Sequence, residues 1–183
     1  MYWKKAGKRN TENTIDLATA KAKEYGINHV VVASNSGETA AHLKDCGLEV
    51  TCVTHQIGFK GPGIDEMSEE RRKELKEAGL NVLTTTHLFA NIERAATSKF
   101  GGIYVGGLAS HTLRMFGEGM KVCVEIAVMA LDAGMIPHGE EVIAIGGWAR
   151  GADTAVVIAP AHSHEFFNTE IKEVLCKPRE KKT

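Results

Sequence analysis

Residues 29–41, HVVVASNSGETAA, constrain this chain more than any other stretch. Val30, Val31, Val32 and Ala33 make a short apolar run that suits a strand buried on both faces. The run enters a polar turn, Ser34–Thr39, and the sequence then favours helix through Ala40, Ala41 and Leu43. A strand feeding a small-residue turn and a helix gathers backbone N–H groups around one point, which suits an anion. Gly37 permits close approach of a ligand, and the hydroxyls of Ser34, Ser36 and Thr39 can donate to phosphate oxygens. A second reading uses the same residues without a ligand: Ser36 is the N-cap of the following helix. The local pattern leaves both open.

Strand and helix signals alternate around this stretch. Asn10–Thr14 is rich in capping residues, and Ile15, Ala18, Ala22 and Tyr25 recur at helical spacing before Gly26. A helix from Gly37 to Cys46 stops at Gly47, and Leu48–Thr54 reads as a second strand parallel to the first. The loop His55–Asp65 carries Gly58, Gly61, Pro62 and Gly63 and lies beyond the C-terminal end of that strand. Ligand-contacting loops of α/β sheets lie there, though a simple surface loop fits as well; His55 is the candidate contact. Ser68–Ala78 is a charged helix with Glu69–Lys73 and Lys73–Glu77 at i,i+4, followed by a third strand, Asn81–Thr85.

Leu88, Phe89, Ile92, Ala95 and Ala96 line one helical face, and GGIYVGG, Gly101–Gly107, reads as a buried glycine-hinged connection. Glu118–Ala133 is a helix apolar almost all round, with Glu118, Lys121, Glu125 and Asp132 on one stripe. Such a helix needs cover on most of its circumference, by the sheet and by another subunit, so a homo-oligomer is expected. Glu141–Ile145 is a strand ending in GGWARGAD (Gly146–Asp153). Thr154–Ala159 is the next strand, closed by Pro160, and Glu170–Cys176 is an edge strand ended by Pro178.

At 183 residues, 43% hydrophobic and 25% charged, the chain is sized and composed as a single globular domain over 1–183. A formal net charge of −1 gives no general attraction to nucleic acid or membrane. Basic residues at Lys4–Arg9 and Lys177–Lys182 read as solvated ends. No signal-peptide pattern or bilayer-length apolar run occurs. Cys46, Cys52, Cys123 and Cys176 form no CxxC pair, which fits buried thiols in a cytoplasmic protein. His162 and His164 have no partner ligands at a recognisable spacing, so no metal is expected there. GxSxG, HExxH and GxxxxGK[ST] patterns are absent.

Two glycine turns matter as a pair. SNSGETA (Ser34–Ala40) resembles the Ser/Thr–Gly–Arg–Ser/Thr–Ala turn of the pyruvate kinase C-terminal α/β domain. HGEEVIAIGGWARGADTAVVI resembles that domain's Gly–Asp–x–Val–x–x–x–x–Gly segment and the strand after it. The likeness covers residues 11–55 and 137–160, weakens between them, and is greatest to small stand-alone archaeal proteins built from this domain. It implies a three-layer α/β/α fold with a mostly parallel five- or six-stranded sheet in the order 3-2-1-4-5. The first and fourth strands are then neighbours, and Ser34–Thr39 and Gly146–Asp153 face each other across a crevice at their C-terminal ends.

In pyruvate kinases the first turn holds a phosphate of the sugar-bisphosphate activator. Here Glu38 replaces the family's basic residue, which argues against that ligand unless the carboxylate points away. The catalytic barrel has no counterpart in this sequence, so phosphate transfer to ADP is not expected. The stand-alone relatives imply flavin mononucleotide (FMN) instead, its phosphate on the first turn. Trp148 is then a candidate wall for the ring, or alternatively core packing, with His55 or Arg150 at polar edges. The candidate contacts are Ser34, Asn35, Ser36, Gly37, Glu38, Thr39, Thr54, His55, Gly146, Gly147, Trp148 and Arg150. Three functions fit: binding of a phosphate-bearing small molecule, an enzyme such as a flavin-dependent oxidoreductase or a phosphometabolite enzyme, and a structural subunit.

Overall fold

A computed structural model describes residues 1–180. Seven strands form one sheet: β1 (Tyr2–Lys5), β2 (His29–Ala33), β3 (Glu49–Val53), β4 (Asn81–Leu83), β5 (Val142–Gly146), β6 (Thr154–Ala159) and β7 (Glu170–Glu180). Their order is β1-β7-β6-β5-β2-β3-β4. The helices are α1 (Thr11–Tyr25), α2 (Glu38–Ala41), α3 (Glu69–Glu77), α4 (Ile92–Phe100), α5 (Val105–Arg114) and α6 (Glu118–Asp132), with 3-10 turns at Lys8–Asn10 and Ser163–Asn168.

The two-residue period of the strands builds the layers. Val30, Val32, Ile143, Ile145, Ala155 and Val157 point to one face, where Ile15, Ala18 and Ala22 of α1 and Leu75 of α3 cover them. Val31, Val142, Ala144, Val156 and Ile158 point to the other, against Met120, Val124 and Ala127 of α6. Both faces of the central strands are covered, which is why β2 and β5 are apolar without alternation. The expected three-layer architecture is present, and β4-β3-β2-β5-β6 reproduces the expected 3-2-1-4-5 order.

The sheet extends further than expected. β7 is not an edge, because β1 pairs with it in parallel, Tyr2 opposite Lys177 and Trp3 opposite Pro178. Pro178 therefore lies inside the strand. Its missing N–H is tolerable because pairing with β6 ends at Cys176, leaving β7 with β1 as its only neighbour there. Of the C-terminal basic run, Lys177 belongs to β7, whereas Lys181 and Lys182 lie outside the described residues.

Helix ends follow local chemistry. Gly26 closes α1 at φ 69°, its N–H reaching the Ala22 carbonyl. Ser68 caps α3, its hydroxyl accepting from Arg71 N. The helix expected over Gly37–Cys46 is only Glu38–Ala41, and left-handed Asp45 and Gly47 bend the chain back towards β3. The face expected from Leu88 also fails: α4 begins at Ile92, which is 84% exposed. Gly101–Gly107 is not a buried hinge either. Gly101 and Gly102, both at positive φ, end α4, and Gly106 and Gly107 open α5 at the surface.

Every residue of α6 from Gly119 to Leu131 except Val122 is buried within one chain. Strands β2, β3, β5 and β6, helix α5 and the Ser163–Asn168 turn supply the cover. The apolar circumference of α6 is thus no reason to require a second subunit. The four cysteines are unpaired, and Cys52, Cys123 and Cys176 are buried. Among the described residues no helix is long and apolar enough to cross a membrane.

Candidate functional site

At the C-terminal ends of β2, β3 and β5 the chain leaves the sheet in different directions, and a cavity of about 680 Å³ opens there. Three loops form walls, α6 is the floor, and the inner side of the α4–α5 hairpin adds Arg94 and Arg114 as a further wall.

The first wall is the turn after β2. Ser34 N donates to the Val53 carbonyl at 3.0 Å, so the turn starts fastened to β3. The buried Ser34 hydroxyl accepts from Thr39 N at 3.1 Å and Ala40 N at 3.3 Å. Ser34, not Ser36, therefore caps α2. The backbone N–H groups of Asn35, Ser36, Gly37 and Glu38 meet no protein acceptor among the described residues. Ser34, Asn35, Ser36, Glu38 and Thr39 line the cavity, and Gly37 does not. Its φ of 82° makes the reversal, and a Cβ there would lie 2.6 Å from Arg71 Cγ, so it faces α3. Glu38 is bound by Lys8 at 3.1 Å, which holds its carboxyl below the usual range. Lys8 thus offsets part of the negative charge that Glu38 brings to the turn.

The second wall is the loop after β5, anchored by buried Asp153. One carboxylate oxygen accepts from Gly7 N (2.8 Å) and Trp148 N (3.3 Å), the other from Thr154 Oγ1 (2.8 Å). Thr11 Oγ1 accepts from Ala152 N at 3.0 Å. Gly147, Ala149, Arg150 and Gly151 line the cavity. Gly146 is buried beneath α6, where a Cβ would meet the Gly119 carbonyl at 2.9 Å. Trp148 faces away into a separate depression of about 220 Å³ beside Ala6, Gly119 and Pro178. It is not a wall of the main cavity. The chain reverses between Trp148 and Arg150: Arg150 N donates to the Trp148 carbonyl at 2.7 Å around Ala149, whose φ is 58°, while Asp153 holds Trp148 N.

The third wall comes from the glycine loop after β3. His55 Nδ1 lies 2.6 Å from Glu66 Oε2, and Lys60 is 2.9 Å from Glu66 Oε1. Burial pushes the Glu66 carboxyl up, but the bonds from Lys60 and His55 outweigh it and leave it below the usual range. Phe59 stacks on His55 at 3.9 Å, and His87 closes the cluster at 5.3 and 5.5 Å from the two rings. Burial holds His87 below the ordinary histidine pKa. Thr54 lines the cavity with its hydroxyl 2.6 Å from Thr84 Oγ1.

The floor is α6. Lys121 pairs with Glu125, both buried, and Glu125 Oε1 accepts from Phe89 N at 3.0 Å. Val122, Ile126 and Met129 complete it. Arg94 lies over the Phe59 ring at 5.5 Å, and Arg114 pairs with Glu118 at 2.7 Å. Among the described residues neither Arg94 nor Arg150 is in an ion pair.

Sequence reasoning missed Phe59, His87, Arg94, Lys121 and Glu125. The signal for two of them was the polar stripe of α6, which faces this cavity. No group of His, Cys, Asp or Glu among the described residues is arranged to hold a metal; His162 instead pairs with Asp132 at 2.9 Å.

The turn after β2 and the loop after β5, adjacent in space at the switch in winding, carry the two motifs on which the resemblance rested. The model of the pyruvate kinase alpha/beta domain matches residues 12–158, well over half of the chain, and the chain belongs to that family.

Proposed function

We propose that this protein binds a phosphate-bearing small molecule in the cavity, with FMN the specific candidate. The observation that carries the reading is the facing pair of the Ser34–Thr39 turn and Arg150 across about 680 Å³ of space. That volume suits a cofactor-sized ligand. On this reading the unsatisfied N–H groups of the turn and the Ser36 hydroxyl receive the phosphate, with Arg150 supplying charge. A flat ring has an aromatic neighbour in the His55–Phe59–His87 cluster, which takes the part that Trp148 cannot. Val122, Ile126 and Met129 offer the apolar floor.

The test is titration of FMN into the protein with flavin fluorescence as readout, alongside a mass spectrum of any molecule released on denaturation. Saturable quenching is expected, and Arg150→Ala should weaken binding by about ten- to a hundredfold, the value of a hydrogen bond to a charged group. No saturable quenching would refute FMN as the ligand. The His55–Glu66 pair favours a second reading, in which the bound molecule is also transformed. A carboxylate on Nδ1 leaves Nε2 as the proton-accepting atom. Under that reading His55→Gln abolishes turnover of a bound ligand while lowering its affinity only about two- to tenfold, the value of one lost ring contact.

A further inference from the structure

The hairpin of α4 and α5 is built unlike the rest of the molecule. No residue of α4 is buried, and Ser110 is the only buried residue of α5. Its inner side contributes Arg94 and Arg114 to the cavity wall. Its outer side exposes Ile92, Phe100, Ile103, Val105, Leu108 and Met115. Val105, Leu108 and Met115 fall at i, i+3 and i+10, one stripe of α5, opposite the side that packs on α6. From Gly101 to Ser110 there is no charged residue.

The area is large for a surface left in water. Phe100 is 75% exposed, Tyr104 37% and Phe116 56%; at the size of aromatic side chains these three alone present about 250–420 Å². Spread along the hairpin, that sum is comparable with the largest apolar patch of an ordinary monomer, about 300–600 Å². The aliphatic residues carry it towards the roughly 800 Å² that each partner buries in a stable interface.

We propose that a second copy of this chain docks on the outer face of the α4–α5 hairpin, and that the contact steadies the cavity wall carrying Arg94 and Arg114. A two-fold contact sets the same stripe against itself, so an uncharged apolar stripe is self-complementary without any matching charge. A net charge of −1 puts little repulsion between two copies. A strongly acidic or basic partner would find no charge to meet on the stripe. The effect on the cavity rests on the binding reading above; the docking does not.

Sedimentation velocity at micromolar concentration separates the outcomes. The wild-type chain is expected to sediment as a dimer, and Leu108→Glu as a monomer with an unchanged far-UV spectrum. Tyr25→Lys, at an exposed residue of α1 on the opposite face of the sheet from α6, should remain dimeric. If the wall is ordered in about a tenth of free monomers, FMN affinity of Leu108→Glu falls about tenfold. A wild-type monomer, or a dimer surviving Leu108→Glu and Val105→Glu together, overturns the docking surface. Equal FMN affinity in dimeric wild type and monomeric variant overturns the steadying of the wall alone. Failure of the wild type to bind FMN refutes the ligand assignment and leaves the sedimentation result standing.

Discussion

Replacing Ser34 with alanine separates the two tasks of the turn after β2. The Ser34 hydroxyl is buried and accepts from Thr39 N at 3.1 Å and Ala40 N at 3.3 Å. Its removal leaves both donors without an acceptor at the start of α2. Loss of an N-cap costs about 0.5–2 kcal/mol, and stranded buried donors push towards the upper end. We therefore expect Ser34→Ala to lose about 2 kcal/mol, or about 4–8 °C in Tm for a chain of this size. Ser36→Ala is the matched control. The Ser36 hydroxyl caps nothing, so its loss should leave stability within about 0.5 kcal/mol of wild type. If that hydroxyl donates to a phosphate, FMN affinity should fall about ten- to a hundredfold. Urea unfolding followed by circular dichroism gives the stabilities, and flavin quenching gives the affinities. Ser34→Ala as stable as wild type would refute the capping assignment. Ser36→Ala binding as tightly as wild type would place the phosphate elsewhere.

Gly37→Val should destabilise through the fold rather than the ligand, because φ is 82° and the new Cβ would meet Arg71 and Leu75; a left-handed residue costs about 1–2 kcal/mol before any clash, readable by urea titration. Lys121→Ala strands Glu125 in a buried site and should cost about 3–5 kcal/mol, while Lys121→Met with Glu125→Leu should recover most of it; a thermal melt that ranks the double variant lower would refute this. Burial holds His87 below its ordinary value of 6.5, so the unfolded chain binds more protons than the folded one as pH falls below that value. Stability should decline from about pH 6.5 down to the folded pKa, and His87→Phe should flatten that limb of a stability–pH series. Asp65 is held low first by Met67 N–H and then by Arg72, so its contribution is present above the ordinary carboxylate range and lost as pH falls through its folded pKa. Asp65→Asn should remove that loss in acid unfolding.

Apolar pattern and punctuation were enough to read β2, β3, β5 and β6, the α1 stop at Gly26 and the extent of α3 to within a residue at each end, because each depends on neighbours in sequence. That the turn Ser34–Thr39 borders a crevice came from the family resemblance rather than from local pattern, and the turn does line the cavity. β1 was illegible, since YWKK carries no alternation and becomes a strand only by pairing with β7 across the whole chain. The polar stripe of α6 was visible at 3.6-residue spacing, but periodicity shows only that residues share a face, not what that face meets. Packing turned the stripe inward, so Lys121 and Glu125 floor a cavity instead of facing solvent or a neighbouring subunit. Trp148 and Arg150 are two residues apart in one loop, and the tight turn at left-handed Ala149, with Trp148 N tied to Asp153, sends one outward and the other inward. Local sequence determined the central strands and several helix ends, but not β1, the length of α2 or the start of α4. Long-range contacts decided which side chains share a cavity, because a side chain's direction is settled by what its backbone is tied to.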